Sequence, residues 1–128
     1  MAEELTDEAR EFAERMFTLA RDGRTAELSA YVDAGLPVDL ANHNGDTLLI
    51  LAAYHEHPDT VRALLERGAD VTRTNQRGQD ALTSATFKQD AESVRALLAA
   101  GADPDAGTPS ARATAQYFDL TEMAKLFG

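Results

Sequence analysis

The side chains best suited to chemistry in this chain are its 3 histidines, His43, His55 and His57, and there is no cysteine. A metal centre would need three or four such ligands converging, with further groups to orient them. His55 and His57 are two residues apart, which turns them to different sides of a helix end, while His43 belongs to a preceding turn. Structural or solvated histidines are therefore expected, and no metal site. The carboxylate pairs Asp103 with Asp105 and Glu3 with Glu4 would do acid–base work only from an apolar pocket that raised a pKa, and the sequence marks no such pocket beside them. A Ser-His-Asp ordering, a Gly-x-Ser-x-Gly elbow and a phosphate-cradling glycine loop are also missing from the sequence. The expectation is a chain with no catalytic residues, no cofactor and no enzymatic activity.

Composition narrows the partners. Across 128 residues, 12 Lys and Arg face 22 Asp and Glu, for a formal net charge of -10. Such a surface repels phosphate backbones and anionic membranes, so nucleic acid and membrane are not expected as partners. The same surplus fits a well-solvated surface or attraction to a basic partner. Without cysteine there is no disulfide framework and no dependence on compartment redox. The opening Met-Ala-Glu-Glu is acidic where a signal peptide would be basic, and no run approaches membrane-spanning length, so a cytoplasmic location is expected. Arg outnumbers Lys and Ala is frequent, a hint of a bacterial source with a GC-rich genome.

The elements that must position these groups recur. Gly35, Gly68 and Gly101 stand 33 residues apart, as do Val61 and Val94, Leu64 and Leu97, Leu65 and Leu98, Asp70 and Asp103, Gly45 and Gly78, and Ala52 and Ala85. A unit of that length, two short helices closed by Gly-Ala-Asp and a polar turn, cannot bury its apolar face alone and must stack on a neighbour. The pattern predicts an all-α solenoid of about four helix pairs in a single domain, 1–128. A capping pair spans 6–35, full repeats span 36–68 and 69–101, and a short closing pair spans 102–128.

Within the first pair, Thr6 caps a helix running to about Asp22 that buries Ala9, Phe12, Ala13, Met16, Leu19 and Ala20, and a second helix runs from about Thr25 to Ala34. The next inner helix covers about Thr47 to Glu56, Pro58 sits in the turn, and the outer helix covers about Asp59 to Arg67. The third pair is expected at about Ala81 to Lys88 and Ala91 to Ala100. After Gly101 the register slips by about three residues, so that Ala115 answers to Ala85, and the last helices cover about Ala111 to Phe118 and Thr121 to Phe127.

Gly45-Asp46-Thr47-Leu48-Leu49-Ile50-Leu51-Ala52-Ala53 resembles the ankyrin signature Gly-x-Thr-Pro-Leu-His-x-Ala-Ala, with Leu48 for Pro and Ile50 for His. Gly78 to Ala85 keeps only the Gly, Leu and Ala positions, with Asp80 as a capping substitute for Thr. Val-x-x-Leu-Leu-x-x-Gly-Ala-Asp is the more faithful half, at Val61 to Asp70 and again at Val94 to Asp103. The chain is similar to the small stand-alone ankyrin proteins of bacteria. That resemblance implies a monomeric, non-catalytic module that binds another protein on a concave side of hairpin tips and inner helices. The contact positions it implies are His43, Asn44 and Asp46 with Tyr54 and His55, then Gln76, Arg77 and Gln79 with Phe87 and Lys88. Tyr54 and Phe87 share one repeat position, either as interface anchors or as packing against the neighbouring hairpin. The alternative reading is a small-molecule or enzymatic role for the groove near Tyr54, His55 and Phe87.

Overall fold

The computed structural model describes residues 6–128, so the Glu3–Glu4 pair lies outside the described residues. Among these residues the chain forms α1 (Asp7–Asp22), α2 (Thr25–Asp33), α3 (Leu48–Tyr54), α4 (Pro58–Glu66), α5 (Ala81–Lys88), α6 (Ala91–Ala99), α7 (Ala111–Tyr117) and α8 (Thr121–Leu126). No extended strand accompanies them, only isolated bridges at Ala41–Thr47 and Gly107–Ser110.

Each inner helix starts on a short polar side chain that accepts a free amide from its own first turn. Thr6 takes the Ala9 amide at 3.0 Å, Thr47 that of Ile50 at 3.1 Å, Asp80 that of Thr83 at 2.8 Å and Ser110 that of Ala113 at 3.0 Å. Pro58 opens α4 instead of lying in the turn before it. That placement follows from its chemistry, since the first helical position needs no amide and the ring already holds a helical φ.

Consecutive helices pair as antiparallel hairpins, and the pairs stack in chain order. The inner layer is α1, α3, α5 and α7, and the outer layer is α2, α4, α6 and α8. The two central inner helices, α3 and α5, are buried nearly all round: Leu48, Leu49, Ile50, Leu51, Ala52 and Ala53 are all buried in α3. Ile50 thus packs where the family signature has a histidine. Ala52, Ala85 and Ala115 let neighbouring backbones approach closely. Outer helices bury one stripe each, carried by Leu28, by Val61 and Leu64, by Val94 and Leu97, and by Met123. In α1 the core takes Met16, Phe17 and Ala20, whereas Ala9 is exposed. Phe17 falls outside the expected stripe, and burial of adjacent positions shows that α1 is covered from two sides. No helix among the described residues is long and apolar enough to cross a membrane.

Candidate functional site

The connections between hairpins project as tips, and the tips are built by two asparagines in register. Asn42 Oδ1 accepts the amides of Asn44 and Asp46 at 2.9 and 3.0 Å, and Asn75 Oδ1 accepts those of Arg77 and Gln79 at 2.9 and 3.0 Å. An Asn side chain in this role closes the turn on its own backbone. Tip then bonds to tip. The Gln76 amide donates to the Asn44 carbonyl at 2.9 Å, Asn75 Nδ2 to Asp46 Oδ1 at 2.9 Å, and the Thr108 amide to the Gly78 carbonyl at 3.0 Å. Gly45 and Gly78 have φ near 79° and 78°, and a Cβ on Gly78 would lie 2.9 Å from the Thr108 carbonyl oxygen. Only glycine allows both the left-handed turn and the close stacking.

Between the tips and the inner helices lies an open groove of about 380 Å³. It brings together Asn44, Asp46, Tyr54, His55, Gln76, Arg77 and Gln79 of the expected contact residues. His43 is exposed at the first tip, where its carbonyl accepts from Gln76 Nε2 at 2.8 Å. Phe87 and Lys88 sit one repeat along. Phe87 is packed edge-on against Phe118, with ring centroids 5.4 Å apart, and Lys88 Nζ lies 4.9 Å from the Tyr54 ring centroid. Both readings of the aligned pair therefore have a physical counterpart: Tyr54 and Phe87 touch the neighbouring repeat yet remain 43% and 44% exposed. A larger hollow of about 660 Å³ is formed by α1 and α2 alone, away from the tips.

The histidines divide as their spacing suggested. His57 Nε2 donates to the Arg21 carbonyl at 2.6 Å, and its ring fills the space where a Cβ on Gly23 would go, so it locks the first repeat to the second. His55 stands edge-on to Tyr54 at the groove. Partial burial pushes its pKa down, and the charges of His57, Arg21 and Lys88 push it further, which favours a neutral imidazole. Among the described residues no three His, Asp or Glu side chains converge to hold a metal ion, and no buried polar side-chain atom lacks a hydrogen-bond partner. The arrangement offers polar recognition from a rigid frame.

Sequence reasoning passed over several residues here. Arg21 lines the groove one 33-residue step before Tyr54, and Asn42 and Asn75 hold the tips at that same step. Tyr117 and Phe118 are exposed beside Phe87, and the Ala85–Ala115 match, applied two residues further along, would have found Tyr117.

A family model of ankyrin repeats in three copies matches residues 16–108. An ankyrin repeat protein of Pseudomonas aeruginosa is 51% identical over 59 residues, which are 46% of this chain and 34% of that protein. The chain thus spans about a third of the length of that relative.

Proposed function

The chain belongs to the ankyrin repeat family, and from that premise we propose that it is a non-catalytic module that binds another protein through its hairpin tips and inner helices. Ankyrin repeats are generally protein–protein interaction modules. The observation that supports the reading here is the groove spanning two repeats, in which Asn44 and Asp46 stand beside Gln76, Arg77 and Gln79 on tips bonded to one another. Preorganised polar groups on a stiff frame lower the ordering cost of association. A small ligand would find little apolar surface in this open, mostly polar groove, which favours a protein partner over the small-molecule or enzymatic alternative.

The test is quantitative affinity capture from the source cell with the full chain and with an Asn44→Ala, Arg77→Ala variant. Both substitutions remove groove side chains and keep the backbone bonds between tips. A protein retained by the full chain and reduced at least about tenfold by the variant is expected, since truncating interface residues weakens binding. Equal retention by both would place recognition elsewhere.

A further inference from the structure

Among the described residues the half-buried lysine and arginine side chains are Arg21, Arg67, Lys88 and Arg112. Arg67 meets Asp33 at 2.8 Å, Lys88 meets Glu56 at 3.8 Å and Arg112 meets Asp105 at 2.7 Å. Arg21 meets no carboxylate among the described residues, although the chain carries 22 Asp and Glu against 12 Lys and Arg. The contact His57 makes with it is to the backbone carbonyl, so the guanidinium is left without a counterion. A charge drawn partly out of water without a partner is the costly arrangement that the other three avoid.

The Arg21 side chain lines the groove between tips and inner helices, and so does Arg77, which likewise has no ion pair among the described residues. Asp46 is the carboxylate in that lining, and Asn75 Nδ2 already donates to it at 2.9 Å. Lys88, next to the groove, is matched by Glu56 and changes the balance little. His55 registers the local field: after burial, the charges of His57, Arg21 and Lys88 lower its pKa, with Asp22 opposing. The groove therefore presents two arginines against one engaged carboxylate, opposite in sign to the net charge of -10 on the chain.

We infer that this groove holds an extended acidic segment of the partner protein, with an aspartate or glutamate carboxylate seated on Arg21 and a second reaching Arg77. The planar guanidinium fork suits a carboxylate, which it can engage with two parallel hydrogen bonds. Arg21 belongs to the first repeat and Arg77 to the third, so the segment runs along the stack across the second. The amide side chains of Asn44 and Gln79 line the same groove and can bond the backbone of the segment. At longer range a chain of charge -10 attracts basic segments, so a preference for acidic ones must come from these local contacts. The inference rests on the protein-binding reading and names the partner chemistry that serves it.

Selection of random dodecapeptides displayed on phage against the immobilised full chain tests it, followed by fluorescence anisotropy on the recovered peptide. Peptides enriched in Asp and Glu are expected. When the carboxylates of that peptide are replaced one at a time by amides, one position should lose at least about tenfold in affinity for the unaltered chain. At that position the loss should fall below about twofold in an Arg21→Gln chain with the same helical circular dichroism, because the two changes remove one interaction. Should Arg21→Gln fail to fold, the sign of the selected peptides and the loss on the unaltered chain decide the matter. Basic or uncharged peptides, no enrichment, or equal losses in both chains overturn the inference. If it falls while a captured protein still requires Asn44 and Arg77, the acidic segment is wrong and the protein-binding reading stands; if capture fails as well, both fall.

Discussion

Asp80 does with a carboxylate what Thr47 and Ser110 do with a hydroxyl, accepting an amide of its own helix, but from a position only 3% exposed. Burial pushes its pKa up, the Thr83 hydrogen bonds oppose this, and the charge of Asp103 adds to it. A carboxyl group whose pKa is higher folded than unfolded binds more protons in the native state between the two values, so stability is lost as pH rises through the folded pKa. Asp80→Thr keeps a capping oxygen and removes the charge. It should raise stability at neutral pH by about 0.5–2 kcal/mol in urea unfolding, and the gain should shrink as pH falls below the usual carboxylate range. A loss at neutral pH would mean the carboxylate has a partner that a hydroxyl cannot replace. The capping role of Asp80 was legible in the sequence because position and residue type suffice for it. The lock between His57 and Arg21 was not, since it depends on how two repeats approach in space.

Element by element, the 33-residue register was the readable part, because a solenoid repeats its packing as it repeats its sequence. Leu64 and Leu97, matched by that register, are both buried, and each changed to Ala should cost about 2–5 kcal/mol by denaturant unfolding. Losses under about 0.5 kcal/mol at both would mean that the outer helices do not bury this stripe. Gly78→Ala should also destabilise, by about 1–3 kcal/mol, because the left-handed φ is strained and the new methyl meets the Thr108 carbonyl at 2.9 Å. Hydrogen exchange at the Thr108 amide would report whether the tips separate. Where the register slips after Gly101, sequence matching stopped short of the exposed Tyr117. Phe17 escaped notice for a different reason: a single amphipathic stripe describes a helix covered on one side, and α1 is covered on two.

Over the whole molecule, four stacked pairs share a continuous core, so each end pair protects the one before it. Removal of residues from Ala111 onward would uncover the sides of α5 and α6 that pack against α7 and α8. The shortened chain should aggregate or melt earlier, seen by light scattering and thermal circular dichroism, and an unchanged monomer with the same Tm would deny α7 and α8 a capping role. Binding is proposed for the tip and inner-helix side of this stack. Once a partner is captured, isothermal titration of that partner with the Tyr54→Ala, Phe87→Ala chain measures it directly, against a Glu66→Ala, Arg95→Ala chain altered on the exposed surface of the outer helices. The account predicts a loss of at least about 2 kcal/mol for the aromatic pair and unchanged affinity for the outer pair, as expected where buried aromatic anchors carry the binding energy. Full affinity in a folded aromatic variant, with affinity lost in the outer variant, would contradict it and move the binding surface to the outer helices.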